Sequence, residues 1–388
     1  MKHIVNAKLI LPCLAGIFIF AGLTSCKREL QKTDELLTLD FKLEQGLDPA
    51  GMLETAFIKL ETNDACFIKT VVQVESAMGK IFLLSGGDWR LLVFDPSGKF
   101  VTQVGARGNG PGEYIAPISF SIDPYEKRLS VIDGAQEKII HYDLQDYRFL
   151  SEEKPPYKSL GLEYAGDDRI VWKNIDYSSA DYAGWSYLVS GRDHTLQKKY
   201  VKNEFMSGYL SGPMKTIYKC KEDILAYTQY DPVVYRFPED TIVPQYRLSF
   251  GKYQLPPIDY LQKISAGYAD FMPELKQSNY VFYYTVFETG ETLVVLYTVA
   301  ETPYIGIYDK KHRRIDAYTR QEFEDKLGAG KIERLSGTMD DYIVAVLQPF
   351  DLLEKKAENY TFLPQLQELL TQTSDDDNPI LLLFKVKK

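Results

Sequence analysis

The chain has 388 residues, of which 45% are hydrophobic and 26% are charged, and its formal net charge is -9 at pH 7. This composition is typical of a folded globular protein and excludes a largely disordered chain. The negative charge argues against nucleic acid as a partner, because binding to a phosphate backbone requires a basic surface. The length allows either two ordinary domains or one large β domain.

The first 26 residues have the pattern of a bacterial lipoprotein signal. Lys2 and Lys8 are followed by an apolar stretch, Leu9 to Leu23, and Cys26 ends the small-residue cleavage site. We therefore predict that residues 1–25 are removed and that Cys26 is lipidated, with palmitate among its acyl chains. The alternative is an uncleaved membrane anchor, but the apolar stretch is short compared with the ~20 residues of a membrane span.

Residues 26–50 are mostly polar, and we predict that they form a lipidated tether to a folded part over residues 51–388. Lys27 follows the anchor directly and is not an acidic retention signal of the inner-membrane type. This favours an outer-membrane location in the cell envelope and leaves open whether the protein faces the periplasm or the cell surface. No later segment is long and apolar enough to cross a bilayer.

Short apolar and β-branched runs separated by Gly, Pro and Asp predict an antiparallel all-β fold. Residues 81–100 and 129–149 repeat the same order of strand, turn and strand. Matching aspartates recur at intervals of 48, 50, 47 and 69 residues: Asp95, Asp143, Asp193, Asp240 and Asp309. The first three intervals match a four-stranded propeller blade of ~40–50 residues.

These repeats, with a last unit at 343–347 and 380–384, predict a six-bladed β-propeller of four-stranded antiparallel blades. A strand near residues 56–60 would complete the last blade beside the C-terminal strand, which removes the open edges of a linear array. A two-sheet sandwich plus a second domain is the main alternative. Helix-like periodicity near 258–278 and 351–371 predicts small helical insertions on one face, forming either a binding face or a cap over the channel.

One glycine-rich segment, Gly105-Ala-Arg-Gly-Asn-Gly-Pro-Gly-Glu-Tyr114, lies between predicted strands and precedes Phe120-Ser-Ile-Asp123. It resembles the NHL-type propeller repeat. The chain resembles more closely the six-bladed β-propeller lipoproteins of Gram-negative commensal bacteria, and Ile58-Lys-Leu-Glu-Thr62 and Asn378-Pro-Ile-Leu381 are also similar to that family. The resemblance implies the fold and the envelope location, and it implies no reaction.

Five side chains are candidate ligand contacts. The glycine-rich segment is not a P-loop, because it lacks the Lys-Ser/Thr ending and no helix follows. We interpret it as a tight turn between blades whose glycines adopt positive φ, with three projecting side chains: Arg107, Asn109 and Glu113. Tyr182 and Trp185 belong to an aromatic cluster that suits a sugar or peptide surface. Packing between blades is the alternative role for these rings.

No catalytic motif is present, since the chain contains neither G-x-S-x-G nor H-E-x-x-H. We therefore predict no catalytic residue, no metal site and no cofactor. A metal centre would require three histidines to converge: His141, His194 and His312. Carboxylates for a glycosidase or lyase are available in excess: Asp123, Asp133, Asp167, Asp168 and Asp181. Cys66 and Cys220 either pair or remain two separate buried thiols.

The predicted function is binding of a ligand or a partner protein by a membrane-anchored propeller, for example in nutrient capture. One alternative is a lyase or hydrolase acting on glycans or peptides through carboxylates at the central channel. Another is a structural scaffold of the envelope. The predicted partners are the membrane, through the lipid anchor, and a glycan, a peptide or an envelope protein, and they do not include nucleic acid.

Overall fold

The computed structural model describes residues 36–43, 46–203, 205, 215–221, 223–238, 241–265 and 271–387. The described chain begins with β1 (Thr38–Asp40), α1 (Pro49–Met52) and β2 (Leu53–Lys59). Blade I contains β3 (Thr70–Ala77), β4 (Lys80–Gly86), β5 (Arg90–Phe94) and β6 (Phe100–Val104). The short strands β7 (Ala106–Arg107) and β8 (Glu113–Tyr114) lead to blade II, which contains β9 (Pro117–Asp123), β10 (Arg128–Asp133), β11 (Lys138–Asp143) and β12 (Phe149–Glu153).

The other four blades follow in chain order. Blade III contains β13 (Ser159–Ala165), β14 (Arg169–Asn174), β15 (Trp185–Gly191) and β16 (Leu196–Lys202). Blade IV contains β17 (Ile217–Cys220), β18 (Asp223–Tyr227), β19 (Val233–Phe237) and β20 (Val243–Ser249), and it is followed by α2 (Ile258–Ser265) and α3 (Phe271–Gln277). Blade V contains β21 (Val281–Glu288), β22 (Thr292–Val299), β23 (Thr302–Asp309) and β24 (Arg314–Thr319), and α4 (Arg320–Leu327) follows it. Blade VI contains β25 (Ile332–Met339), β26 (Tyr342–Leu347) and β27 (Ile380–Val386), with α5 (Pro349–Ala357), α6 (Pro364–Leu369) and a 3-10 turn (Leu370–Gln372) between its second and third strands.

Each blade is an antiparallel sheet whose strands lie in chain order from the innermost to the outermost. Blade VI takes its outermost strand from the other end of the chain, because β2 pairs antiparallel with β27 from Leu53 opposite Val386 to Lys59 opposite Ile380. This pairing closes the ring and covers the edge of β27 that would otherwise be exposed. The structure thus confirms the six-bladed propeller and excludes the sandwich alternative.

The hydrophobic core lies between blades, with one cluster of buried side chains for every neighbouring pair. Phe82 and Phe120 belong to the cluster of blades I and II, and Val74 and Val344 to that of blades VI and I. Strands such as β4 are buried on both faces, since each blade is covered by a neighbour on both sides. Near-continuous apolar runs such as Ile81-Phe-Leu-Leu84 follow from this burial, as expected for a sheet packed on two faces.

The two faces of the ring differ in what they carry. We call the face at which the innermost strands begin the upper face, and the face at which they end the lower face. The connections that contain α2 with α3, and α5 with α6, both join strand ends at the upper face. Leu261 and Phe271 of α2 and α3 pack there against Phe282, near the start of β21. These helices coincide with the two segments that the sequence predicts as helical, except that α5 begins at Pro349, two residues before the predicted start.

Two parts of the chain differ from the sequence interpretation. The segment assigned to the tether contains β1, which pairs in parallel with β20 as a fifth strand of blade IV. Leu39 and Phe41 are buried, and Phe41 lies against Gly306, where a Cβ would be 2.2 Å from its ring. The short run Thr38–Phe41 is therefore part of the propeller because its alternate apolar side chains fill a site that only glycine leaves open.

Helix α4 was not predicted from the sequence. Phe323 and Leu327 of this helix are buried in the cluster between blades V and VI, while its other positions are mainly charged. The residues that carry the lipoprotein interpretation, including Cys26, lie outside the described residues, as does Asp240. Within the described part of the chain, no helix has the length and apolarity needed to span a membrane.

Buried charges add polar contacts between the blades. Glu288, at the end of β21, is fully buried and contacts the guanidinium of Arg236 at 2.5 Å, the ammonium of Lys310 and the hydroxyl of Tyr246 at 3.1 Å. We call these four residues the Glu288 cluster. It joins blades IV and V, and because its one carboxylate contacts two cations and a phenol, its burial is offset by pairing.

Candidate functional site

Cavities open on both faces of the central channel. The upper cavity has a volume of about 410 Å³ and is lined by the first half of several innermost strands. The lower cavity, about 210 Å³, is lined by their second half. Gln73 and Tyr218 line both cavities and therefore mark the narrow part of the channel between them. A third cavity of about 340 Å³, the side cavity, adjoins the upper cavity and shares Arg320 and Glu333 with it.

Aromatic rings form much of the wall of the upper cavity. Its aromatic lining residues come from blades IV and V: Tyr218, Tyr283, Phe287, Tyr297 and Tyr304. The rings of Tyr297 and Tyr304 are stacked, with centroids 5.1 Å apart and planes 14° apart, and the Tyr304 hydroxyl lies 3.1 Å from that of Tyr253. Burial raises the pKa of Tyr304 to about 12, so its hydroxyl is neutral at physiological pH.

Three charged residues from different blades meet at the narrow part of the channel. The Lys215 ammonium lies 2.9 Å from Glu75 Oε1 and 2.6 Å from Glu163 Oε1. We call Glu75, Glu163 and Lys215 the channel triad. Lys215 also donates to the Phe120 carbonyl at 2.9 Å, and Gln73 donates to Glu75 at 2.6 Å. Lys215 lines the upper cavity and Glu75 the lower, so the triad spans the constriction.

Two factors determine the pKa values in the channel triad: burial, and the presence of two carboxylates beside one ammonium. Desolvation by burial raises the pKa of Glu163, although Lys215 opposes that shift. Desolvation would lower the pKa of Lys215, but the two neighbouring carboxylates raise it overall. The ammonium is therefore held charged, and Glu163 holds a proton more tightly than an ordinary glutamate. Glu163 lines none of the three cavities, and its second oxygen accepts from Ser121 at 2.9 Å.

The upper cavity also contains polar groups that are not paired. Thr285 and Ser336 line it and are 7% and 3% exposed, and their hydroxyl oxygens are enclosed and have no hydrogen-bond partner among the described residues. Arg334 and Arg320 line the same cavity. A buried hydroxyl without a partner is costly, so a water or a ligand group that reached either oxygen would be stabilised.

The glycine-rich segment is a tight turn between blades I and II that also bonds to blade II, where the Tyr142 hydroxyl donates to the Gly112 carbonyl at 2.8 Å. Gly105 and Gly112 have φ of 66° and 72°, as expected. Glu113 accepts from the Gly110 amide at 2.8 Å, and a Cβ on Gly108 would lie 2.0 Å from the same carboxylate. The glycines at 108 and 110 are thus needed for space around Glu113.

The structure does not bring the five candidate ligand contacts together. Arg107 and Asn109 are exposed and Glu113 is half-buried. Tyr182 is half-buried with its ring 5.5 Å from that of Tyr157, and Trp185 packs against the same core cluster of blades II and III. None of the five lines the upper, lower or side cavity. Their described contacts are those of turn closure and packing between blades.

The histidines do not converge as a set of three. His141 and His194 both contact Glu153, at 3.1 and 3.4 Å, but His312 pairs with Asp309 in blade V at 2.7 Å. Within the described ranges, no group of three or more His, Cys, Asp or Glu side chains is arranged to hold a metal ion. Cys66 and Cys220 are separate buried thiols.

The aspartates that were candidates for a glycosidase or lyase lie outside the channel. Asp123 is fully buried against Arg192 and Arg128, and Asp133 accepts from the Ile115 amide at 2.6 Å. The channel carboxylates, Glu75 and Glu163, were missed. Glu163 carries a usable signal, because it is a charged residue inside the apolar strand Leu160-Gly-Leu-Glu-Tyr-Ala165, and a charge within a buried strand requires a partner.

Comparison with solved structures supports the fold. A protein of Bacteroides fragilis described as exported has a TM-score of 0.87 and 34% sequence identity, over 90% of this chain and 100% of that chain. A member of the DUF4221 family from Bacteroides vulgatus has a TM-score of 0.52 and 10% identity, over 87% of this chain and 99% of that chain. The second similarity shows the fold alone.

Sequence comparison adds a partial match and a family. The peptidylglycine alpha-amidating monooxygenase of Rattus norvegicus is 28% identical over 155 residues, which is 39% of this chain and 14% of that protein. The chain thus matches a small part of that relative's length. A family model described as a 6-bladed beta-propeller, DUF5128, matches residues 27–346. The protein with which the chain shares 34% identity agrees with this match over nearly the whole length, and the chain therefore belongs to this family of 6-bladed β-propellers.

Proposed function

We propose that this protein is a binding protein of the cell envelope that holds a small ligand in its upper cavity. The observation that carries the proposal is the upper cavity itself. Its volume of about 410 Å³ lies within the range of ~300–1,000 Å³ that is usual for ligand sites. Its wall combines aromatic rings with a few polar groups, among them two buried hydroxyls without partners, which is the composition that fixes a ligand's orientation.

The envelope location and the lipid anchor are part of the same proposal. They are supported by the lipoprotein-type signal that ends at Cys26 and by the similarity to a Bacteroides fragilis protein described as exported. An outer-membrane position and a role in the capture of a glycan or a peptide follow from the same signal and from the aromatic lining of the cavity.

Metabolic labelling with an alkynyl palmitate analogue tests the anchor. We expect the wild-type protein and Cys13→Ser to incorporate the label and to remain with membranes. Cys26→Ser should lose the label, because Cys26 is the proposed acylation site. Cys13 is the matched control, since it lies within the proposed signal. Label that persists in Cys26→Ser would overturn the proposed anchor.

Thermal unfolding of the purified full chain in detergent, screened against glycans and peptides, tests the binding function. A ligand present at 100 times its dissociation constant stabilises the folded state by about 2.7 kcal/mol. We expect Tyr283→Ala to lose the response, because it removes a ring from the upper cavity wall. Tyr125→Ala, an exposed tyrosine outside the cavity, should retain it. A response that survives Tyr283→Ala would show that the upper cavity is not the site.

The same screen separates the two alternative functions. Glu75 and Glu163 are both at the channel, and this position is the observation that favours a carboxylate enzyme. A ligand that is chemically consumed, with loss of turnover in Glu75→Gln, would support that alternative. A screen without any response would favour the envelope scaffold. We favour binding because both Glu163 oxygens are already engaged, by Lys215 and Ser121, and are enclosed.

A further inference from the structure

Resting on the proposed binding function, we infer that the ligand of the upper cavity is a small saccharide that bears a carboxylate, with the carboxylate bound by Arg320 and Arg334. Three features of the described residues carry it: the free terminal donors of the two arginines, a small excess of positive charge around the upper and side cavities, and an aromatic wall with neutral hydroxyls.

The two arginines retain unused donors. The Nε atom of Arg334 lies 3.3 Å from Glu333 Oε1, and the Nε atom of Arg320 lies 3.5 Å from Glu324 Oε1. Both ion pairs are therefore made by Nε. The terminal NH2 groups of the two guanidiniums make no hydrogen bond to a residue within the described ranges. Terminal guanidinium groups bind carboxylates in a two-point geometry, so each arginine can accept a carboxylate without breaking its own ion pair.

The lining of the upper and side cavities carries a small excess of positive charge in a chain that is acidic overall. The two cavities are lined by five basic side chains and two acidic ones: Lys69, Lys215, Arg320, Lys331 and Arg334, with Glu333 and Asp351. Lys215 is balanced by the carboxylates behind it, and three of the other basic groups are paired, Arg320 with Glu324, Lys331 with Asp351 and Arg334 with Glu333. Lys69 has no acidic partner among the described residues, and this local excess favours an anionic ligand over a cationic one.

The rest of the wall suits a sugar ring. Tyr283 is half-buried and lines the cavity, with the stacked pair Tyr297 and Tyr304 in the same wall, so aromatic surface is available to the apolar face of a sugar. Thr285 and Ser336 line the same cavity, and their hydroxyls are neutral groups that can donate and accept, which matches sugar hydroxyls.

Calorimetric titration of the full chain in detergent with digalacturonic acid and with its dimethyl ester tests this inference. The ester removes the charge of both carboxylates and adds one methyl group to each. We expect the acid to bind at least ten times more tightly than the ester, and increasing salt to weaken only the acid, because salt screens charge. Arg334→Gln and Arg320→Gln should each weaken binding of the acid about tenfold and leave the ester unchanged. Arg148→Gln, which alters an exposed arginine on an outer turn, should have no effect.

The outcomes distinguish the ligand class from the function. Equal affinity for acid and ester, or binding of the acid that survives both arginine substitutions, would overturn the inference and leave the proposed binding function standing. Binding of a neutral glycan that is lost in Tyr283→Ala, without binding of the acid, would also overturn the inference and leave the proposed function standing. Tetraglutamate bound more tightly than digalacturonic acid would show that the ligand is an acidic peptide and would overturn the saccharide. Loss of every Tyr283-dependent response would instead contradict the proposed function itself.

Discussion

The two buried ion clusters of this propeller have opposite compositions. In the Glu288 cluster, one carboxylate contacts two cations and a tyrosine hydroxyl between blades IV and V. In the channel triad, one ammonium contacts two carboxylates. None of the Glu288 cluster lines the three cavities, whereas Lys215 and Glu75 do. In both regions pairing offsets the cost of desolvation, at a blade interface in the first and at the wall of the channel in the second.

The two clusters also differ in how charge and burial shift the pKa values of their members. Burial would lower the pKa of Arg236, but its attraction to Glu288 outweighs burial and raises that pKa. In the triad, burial raises the pKa of Glu163, and the single ammonium of Lys215, which is shared with Glu75, only partly opposes that shift.

Replacing Glu288 by alanine should produce the largest loss of stability. The substitution leaves Arg236 and Lys310 buried without their carboxylate, and breaking a buried pair in this way costs about 3–5 kcal/mol. Urea unfolding measures the change. Glu291→Ala, an exposed acid three residues away, is the matched control and should change stability little. A Glu288→Ala protein as stable as wild type would show that the cluster contributes no net stability.

Lys215→Met should cost about 2–3 kcal/mol, somewhat less than the loss at Glu288, because breaking a buried pair is costly but Glu75 retains 17% exposure and can gain water. The double variant Lys215→Met with Glu163→Gln should recover part of this loss, since it also removes one of the two unpaired carboxylates. Urea unfolding of both single variants and the double variant gives the coupling. If the losses of the two single variants simply add up in the double variant, Lys215 and Glu163 are not energetically coupled.

Lys173 differs from the cations of both clusters, because its ammonium makes no ion pair with a carboxylate among the residues that the structure describes. Lys173 donates to the Thr228 hydroxyl at 3.0 Å and lies 4.9 Å from the Tyr187 ring centre. Burial lowers its pKa to about 8. Between that value and the ordinary lysine pKa near 10.5 the unfolded chain binds more protons than the folded protein, so stability rises with pH in this window.

Lys173→Met should therefore be more stable than wild type at pH 7, by about 2 kcal/mol. This advantage should shrink as the pH increases from 8 to 10, because wild-type Lys173 loses its charge in the folded state. Urea unfolding at several pH values measures the difference, with Lys202→Met, an exposed lysine, as the control. A difference that does not change with pH would show that Lys173 titrates normally.

The smallest effect is expected at the turn between blades I and II. Arg107 and Asn109 are exposed, and Arg107→Ala or Asn109→Ala should change stability by less than about 0.5 kcal/mol and leave ligand binding unchanged. Thermal unfolding with and without ligand measures both effects. A loss of the ligand response in either variant would move the site from the upper cavity to this turn.

The repeat pattern made the blades predictable from the sequence. Asp95, Asp143 and Asp309 follow or end the third strand of blades I, II and V, because the same turn recurs wherever that strand ends. The apolar run near residue 56 predicted the closing strand for a similar reason, since a propeller needs a last partner for β27. By contrast, β1 has three residues, which is too short for a periodic signal.

The site was not predictable because its residues come together only in the folded ring. Glu75 and Lys215 are 140 positions apart, and no local spacing relates them. Arg320 and Arg334 lie outside the repeated aromatic-Asp pattern and reach the cavity from blades V and VI. The candidates chosen from sequence stood out as local clusters, and local clusters in a repeat fold mark turns and packing more often than the shared channel.

The pairing of β2 with β27 limits when this protein can finish folding. Lys387 hydrogen bonds to the Ala50 carbonyl 337 positions earlier, and β2 has no partner until β27 is available. During synthesis β2 must therefore wait, unpaired, until β27 has been made. Contacts of such long sequence separation slow folding, so the ring closes late and blade VI is completed after the other blades.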